Sequence, residues 1–536
     1  MKFKRVVAAK VEDIQEDRIE KISVDNKQIL LAKVDNKFYA TTAFCTHAGA
    51  PLEEGILHHK RIVCPWHNAC FNIVNGEIEE PPGRDNLASF TVKVEGDRVI
   101  VELPENFPLQ RTPHMAKKEP NNNKIFVILG SGTAGSIAAE TLRKEGFSGR
   151  IILISKEKQL PYDRTQLSKE YLKGKSAGES LPLRKCQFYQ ENEIELWFDR
   201  VVTKVDAKAK KVTFADNCTL NYDALLLATG TKAKKLDIVG ADLNNIFTIR
   251  DRQDAEKLKQ AAERAKKAVI IGSGFIGTEA AASLKDLGLD VTIVSPDSVP
   301  FEKILGQEIG TKFKQLHQEN GVSFCDRIKA TKFEGKDTVE AVILEDGTRL
   351  EADLVVVAIG VEPATEYLSG VEIAEDNSIV VNEHLQVADG LYAAGDIASF
   401  PYPPLETKIR IEHWRVAAQH GIIAARNMIK EKSVKFDKIP FFWTAQFGTY
   451  LQYTGHAEDW DEIIYQGDLE TRNFLAFYIK DNRILAVAGC DRDKDIAAIS
   501  ELMREDNLPQ VEAIRRSQID WIYRLKQSAK KITVTG

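Results

Sequence analysis

KIFVILGSGTAGSIAAETLRKEGF, residues 124–147, followed by RIILIS at 150–155, is the stretch on which the fold turns. An apolar strand, a glycine turn and a helical pattern follow one another, and a second apolar strand comes after. KAVIIGSGFIGTEAAASLKDLGL at 267–289, followed by DVTIVS at 290–295, repeats the unit about 140 residues later and is the strongest internal repeat of the chain. Two β-α-β units of this kind predict two α/β domains.

Each glycine turn spells Gly-x-Gly-x-x-Gly: Gly130, Gly132 and Gly135 in the first, Gly272, Gly274 and Gly277 in the second. Alone such a triplet is a weak signal. Placed after a strand and opening a helix, it predicts a pyrophosphate cradle, with amide N–H groups and the helix N-terminus facing the phosphates. An acid about twenty residues on is expected to hold the adenosine ribose. Glu157, 22 residues past Gly135, takes that part in the first unit, against the plainer reading of an exposed turn carboxylate. In the second unit Ser295 stands where an acid usually ends the strand, and Asp297 follows two residues on. A carboxylate there favours NADH by binding the ribose 2′-OH and repelling a 2′-phosphate. No Arg cluster replaces it, so NADH is expected ahead of NADPH.

The first hundred residues carry a different pattern, short strands and tight turns. QILLAKV and FYATTAF flank Asp35-Asn36, Asn75-Gly76 marks a two-residue hairpin, and TVKVEGDRVIVEL turns at Gly96-Asp97. An all-β domain over residues 1–103 is predicted. It contains two boxes, Cys45-Thr46-His47 and Cys64-Pro65-Trp66-His67, which read C-x-H, sixteen residues, C-x-x-H. Two thiolates and two imidazoles suit either a tetrahedral zinc or a Rieske [2Fe–2S] cluster, in which two His replace two Cys on one iron. Cys-x-His is an unusual zinc spacing, and each box falls in a loop between predicted strands. CTHAGAPLEEG and CPWHNACFNIVNGE resemble Rieske ferredoxin domains throughout, which implies Cys45, His47, Cys64 and His67 as cluster ligands. His58 and His59, between the boxes, read as solvated surface residues. Cys70 has no partner cysteine in the first box, so the disulfide of some high-potential Rieske domains is absent, which points to the lower part of the roughly −150 to +300 mV range.

A chain of 536 residues is too long for one core. Its net charge of −6 gives no electrostatic case for nucleic acid or an anionic membrane as partner. No apolar run approaches the roughly 18–20 residues that span a bilayer, and the N-terminus reads as neither signal nor transit peptide, so a cytoplasmic location is expected. The seven cysteines are scattered without a CxxC or CxxxxC pair, which favours reduced thiols or metal ligation. PENFPLQRTPHMAKKEPNNN reads as a linker over 104–123 that need not fix the β domain rigidly to the α/β domains. After residue 432 the pattern becomes less regular, and 433–536 is expected to be a separate α+β domain.

Further pieces complete a family pattern: LPYDRTQLSKEYL with Arg164 and Lys169, YDALLLATG ending at Thr229-Gly230, GLYAAGDIASF with Asp396, and FFWTAQFG. In this order they resemble two-dinucleotide flavoproteins, and residues 124–536 resemble the putidaredoxin-reductase and apoptosis-inducing-factor group. With the β domain included, the whole chain is similar to apoptosis-inducing-factor-like proteins that begin with a Rieske domain. The resemblance implies a multidomain fold: an all-β Rieske domain, two interleaved Rossmann-like dinucleotide-binding domains (FAD at 124–245 and 365–432, NAD(P)H at 246–364) and the C-terminal α+β domain. It implies FAD contacts from Arg164, Lys169, Val202, Arg250, Asp396 and Trp414, and a Lys169–Glu279 pair beside flavin N5, where hydride arrives. Trp443 and Phe447 are candidates either for covering the flavin or for ordinary core packing.

The expected activity is that of an FAD-dependent NAD(P)H oxidoreductase, passing electrons from NADH through FAD to the cluster and on to an unknown acceptor, protein or small molecule. The alternative is an NADH-responsive redox sensor or interaction protein with little turnover, and a homodimer is an option in either case. Glutathione-reductase-type chemistry is excluded by the missing redox disulfide, and Cys186, Cys218, Cys325 and Cys490 read as core or surface thiols. No mononuclear-iron His-His-carboxylate set is apparent, which weighs against an oxygenase component.

Overall fold

The computed structural model describes residues 2–532 apart from 26, 177, 179 and 180. It comprises two compact units. The first takes in the chain up to His114, Lys438–Trp443 and the chain from Leu451 onward; the second is Met115–Asp437 with Thr444–Tyr450.

The second unit holds both glycine repeats. Ile125–Leu129 lies central in a six-stranded sheet, paired in parallel with Arg150–Ile154 on one side and Ala224–Leu227 on the other. Leu391–Ala393 then joins Ala224–Leu227 in parallel, so a segment from beyond the second repeat completes the first domain's sheet. The apolar run IFVIL is buried at Phe126–Leu129 because helices cover a parallel sheet on its faces. Helix Thr133–Lys144 crosses helix Trp414–Ile429 closely: a Cβ at Gly421 would lie 2.3 Å from the Ala134 carbonyl oxygen. The second repeat forms its own parallel sheet in the order Ile246–Phe247, Leu354–Val357, Lys267–Ile271, Asp290–Ser295, Val322–Asp326.

The first unit combines the N-terminal β region with most of the C-terminal region. A six-stranded sheet (Phe3–Lys10, Arg98–Pro104, Ser89–Glu95, Lys37–Thr42, Lys27–Val34, Arg18–Val24) stands beside a four-stranded one, Ile56–His58, Arg61–Val63, Cys70–Asn72 and Ile78–Glu80. The C-terminal strands are antiparallel and carry helix Asp493–Arg504 and helix Trp521–Ile532. Ile56, Val63 and Cys70 of the four-stranded sheet share one hydrophobic core with Phe441, Leu475, Ile496, Ile499 and Trp521. Cys70 is therefore a core thiol, and burial pushes it well above the usual thiol range.

The stretch read as a linker is tied down by contacts its composition does not reveal. Gln110–Arg111 pairs with Asn86–Leu87 in the first unit, and the amides of Ala116 and Glu119 bond to the Arg143 and Ser148 carbonyls in the second. Among the described residues, no helix is long and apolar enough to cross a membrane. Cys186 and Cys218 are exposed, Cys325 is half-buried and Cys490 is buried.

Candidate functional site

The two Cys/His boxes fold into matching loops. Cys45 N donates to Ala50 O and Gly49 N to Cys45 O; Cys64 N donates to Ala69 O and Asn68 N to Cys64 O. Gly49 and Asn68, equivalent in the two loops, both take left-handed backbone, at φ 75° and 57°. This fold-back turns the amides of His47 and Ala48 toward the Cys45 sulfur, and those of Trp66 and His67 toward Cys64. The two thiols are buried, free and hydrogen-bonded to each other. That bond pulls Cys45 below the ordinary thiol value, while the same bond and burial push Cys64 well above it.

His47 Nδ1 and His67 Nδ1 lie 3.1 Å apart, with the rings edge to face. Two nitrogens each about 2.0–2.1 Å from a shared tetrahedral ion would sit roughly 3.3–3.4 Å apart. Sulfur thus faces sulfur and nitrogen faces nitrogen, a donor set that fits two irons, one held by thiolates and one by imidazoles. Four inward amides on the sulfurs add the outer hydrogen bonds that tune such a site. Trp443 packs on these histidines, its ring centroid 4.3 Å from His67 and 6.2 Å from His47. Gln452 Nε2 donates to the Pro65 and Trp66 carbonyls at 2.7 and 2.9 Å, holding the second loop from the C-terminal sheet.

In the first dinucleotide cradle, the glycines are required for different reasons. A Cβ on Gly130 would meet Ala228 O at 2.1 Å and one on Gly135 would meet Gly130 O at 1.9 Å, so both permit close backbone packing. Gly132 caps helix Thr133–Lys144 and faces space with no atom within 4 Å, room for a pyrophosphate at the helix N-terminus. Gly274 is equally open at the start of helix Phe275–Asp286, and Gly277 would collide with Gly272 O at 2.2 Å. The two cradles match further on. Ser131 Oγ bonds to Ser155 Oγ at 2.7 Å and Ser273 Oγ to Ser295 Oγ at 2.8 Å; each strand-end serine then accepts the amide of the acid two residues later, Glu157 or Asp297.

Glu157 is not an exposed turn carboxylate. It is bonded to Tyr162 Oη at 2.6 Å and to the Arg164 guanidinium; against a burial that would raise its pKa, Arg164 and Tyr162 hold it below the usual value. Arg164 Nη1 also donates to Arg250 O. Arg250 reaches Asp396 Oδ2 at 3.3 Å and Thr231 O at 2.6 Å, while Thr229 Oγ1 is fixed by Ala364 O and Tyr367 Oη. Val202 begins strand Val202–Asp206, and Trp414 opens its helix; both are half-buried. Asp297 carries Lys303 Nζ at 3.4 Å, a cation beside the expected ribose acid.

Lys169 Nζ and Glu279 Oε2 are 2.6 Å apart, with Glu279 only 4% exposed. Ser168 Oγ donates to the same oxygen and Thr444 Oγ1 to Oε1. Beyond Thr444 the buried network continues: Gln446 Nε2 donates to Thr444 and Thr278 hydroxyls, and Gln446 Oε1 meets His317 Nε2 at 2.7 Å. Burial drives His317 down to about 4 and holds it neutral. Sequence reasoning misses Ser168, Thr444, Gln446 and His317 as site residues. Thr444 and Gln446 stand two apart in strand Phe441–Gln446 and so share one strand face. Phe447, half-buried, packs against the core of the second dinucleotide domain beside His317. His413, next to Lys169, is pushed down to about 3 by burial and by the charges of Lys169 and Arg415.

One expectation needs correction. His58 is not a solvated residue: it is 3% exposed and bonded to Glu505 at 2.8 Å, because its hairpin packs under the end of helix Asp493–Arg504.

Comparison with known proteins agrees with this division. Residues 124–421 match the pyridine nucleotide-disulphide oxidoreductase family, residues 4–91 the Rieske [2Fe-2S] domain and residues 441–521 the reductase C-terminal domain. Apoptosis-inducing factor 3 of Mus musculus is 36% identical over 522 residues, 95% of this chain and 85% of that protein. Putidaredoxin reductase of Pseudomonas putida is 33% identical over 396 residues, 73% of this chain and 93% of that protein. Among solved structures, the covalent putidaredoxin reductase–putidaredoxin complex superimposes with a TM-score of 0.72 at 31% identity, covering 76% of this chain and 100% of that one.

Proposed function

The chain belongs to the pyridine nucleotide-disulphide oxidoreductase family and is an FAD-dependent NAD(P)H oxidoreductase with a Rieske domain, and from that premise we propose that it is a self-contained electron-transfer protein whose Rieske domain serves as the first acceptor. The observation that carries this reading is the presence, in one chain, of two dinucleotide cradles and the paired donor set Cys45, Cys64, His47 and His67. Putidaredoxin reductase, by contrast, was solved bound to a separate putidaredoxin.

Bound FAD would take an electron pair from a nicotinamide and release single electrons to an iron–sulfur acceptor, the conversion these cofactors supply. The chain's own residues bind and position. Gly132 and Gly274 leave their helix N-termini open to phosphates. Glu157, held ionised by Arg164, is the proposed ribose ligand of FAD, and Asp297 that of NADH in preference to NADPH. Val202, Thr229, Gly230, Arg250, Asp396 and Trp414 are the further proposed FAD contacts. Lys169 places a cation where reduced flavin gains negative charge, and Glu279 keeps that cation in place. His47 and His67, half-buried with Trp443 against them, are the more exposed of the four proposed ligands, so an electron would enter on their side. The final acceptor is a protein or small molecule of one-electron chemistry. We place the protein in the cytoplasm, as a monomer or homodimer, which fractionation and sedimentation would check.

Anaerobic titration of the purified protein with NADH, followed by visible absorbance and low-temperature EPR, tests the proposal. Flavin bleaching together with the EPR signal of a reduced Cys/His-ligated cluster is expected, and His67→Ala should remove only the second. Flavin reduction with no cluster signal would defeat the internal transfer. The sensor reading, suggested by the similarity to apoptosis-inducing factor 3, predicts instead slow turnover with an NADH-dependent change of oligomeric state.

A further inference from the structure

His58, His59 and Glu505 form a ligand set that the electron-transfer reading does not use. They come from opposite ends of the chain, and one ligand atom from each lies within 4.8 Å of the other two. His58 ends strand Ile56–His58. In an extended strand the next side chain would point to the opposite face. His59 instead takes left-handed backbone at φ 53°, a conformation that disfavours a residue with a Cβ by about 1–2 kcal/mol. That turn lays the two imidazoles side by side, with ring centroids 4.3 Å apart.

Glu505 comes directly after helix Asp493–Arg504 and points its carboxylate at both rings. Oε1 is 2.8 Å from His58 Nε2 and 3.8 Å from His59 Nε2. Oε2 is buried and has no hydrogen-bond partner. A buried carboxylate oxygen left unpaired is expensive, and an ion is one way to satisfy it. Charge near the set is mixed. Arg504 Nη2 also bonds Oε1 at 2.8 Å and competes with an ion there. Asp17 lies close enough to His59 to interact with its charge and adds a negative group.

We propose that His58, His59 and Glu505 bind a divalent metal ion of borderline softness, with zinc as the type. Two imidazoles and one carboxylate, with a fourth position for water, make up a familiar zinc donor set. The ion ties the hairpin Ile56–Val63, whose last residue precedes Cys64, to the end of helix Asp493–Arg504. Bound there, with water in the fourth position, it braces the loop that carries half of the cluster's ligands. The sequence showed no His-His-carboxylate set because Glu505 is 447 residues from His58.

The test uses the full-length protein with its flavin and cluster, stripped with EDTA and titrated with zinc chloride. Elemental analysis after desalting should find one zinc per chain with the iron content unchanged, and zinc should raise the melting temperature by a few degrees. His59→Ala, at the most exposed ligand, should lose both the zinc and the thermal shift while keeping the iron, and Glu505→Gln should do the same. Two results would overturn the proposal. One is zinc retained equally by wild type and His59→Ala. The other is no zinc bound by the wild type, with Glu505→Gln lowering stability to the same extent whether or not zinc is present, which would make the cluster a His–Glu hydrogen bond only.

Discussion

Glu279 is a buried carboxylate with donors on both oxygens, Lys169 and Ser168 on one and Thr444 on the other. Removing one member leaves the remaining charge uncompensated, so the members act as a unit and their effects do not add. Lys169→Met and Glu279→Gln should each slow anaerobic flavin bleaching by NADH about 10- to 100-fold, and the double variant should be no slower than the worse single one. Stopped-flow absorbance would check this; rates that multiply in the double variant would show the two to be independent. Asp297 poses a separate question. Its carboxylate disfavours a 2′-phosphate, while Lys303 beside it would welcome one. Asp297→Ser should therefore move the NADPH:NADH ratio of kcat/KM toward NADPH by about tenfold, roughly 1.4 kcal/mol, and no change would place the ribose acid elsewhere. The two Cys/His boxes and the glycine turns were legible in the sequence because their chemistry fixes residue type and spacing, whereas the Lys169–Glu279 pair, 110 residues apart, came only from the family resemblance. Thr444 and His317 were not: they join the site across 165 and 129 residues through contacts that local pattern does not encode.

Helix Asp493–Arg504 shows the same limit on a larger scale. The sequence reads there only as part of a less regular α+β region, with no sign of what the helix's buried face meets. In the structure Ser500 accepts a hydrogen bond from Asn68, the left-handed residue of the second cluster loop, and Glu501 takes two bonds from Arg61. The two glycine-turn helices were easier to read, because strand, turn and helix are consecutive in the chain. Glu501 is 5% and Arg61 20% exposed, so breaking this pair should cost less than a fully buried one, about 1–3 kcal/mol. Glu501→Ala should accordingly lower the temperature at which the cluster's visible circular dichroism is lost, by several degrees. An equivalent change at the exposed Lys480–Asp459 pair should leave it within error. If both variants melt alike, the helix does not brace the cluster loop.

Across the whole molecule, acid should act first on the second unit. His317 is driven down to about 4, and His413 and His420 to about 3, chiefly by burial. In the unfolded chain such groups titrate near 6.5. Because the folded values are depressed, the unfolded state binds more protons once pH falls below about 6.5, and the stability these groups contribute is lost from there down to about 3–4; above 6.5 it is fully present. Each group adds a slope approaching about 1.4 kcal/mol per pH unit. FAD release followed by flavin fluorescence should set in within that window, and His317→Gln should make it less steep. The first unit raises a different issue. A Rieske module joined by a linker would be removable, but Ile56, Val63 and Cys70 are built into the core that also holds Leu475, Ile496 and Trp521. Deleting residues 1–114 would expose the facing side chains of that core, at roughly 1.5–3 kcal/mol for each fully uncovered aliphatic or aromatic group. Several such groups together are comparable with the whole stability of a domain, about 5–15 kcal/mol. A chain beginning at Met115 should therefore bind FAD through the second unit and yet aggregate or be cleaved early within 451–532. Size-exclusion chromatography and limited proteolysis would check this. A monodisperse, protease-resistant product would mean that the C-terminal region closes its own core, and that the Rieske domain rests on it as a separable partner.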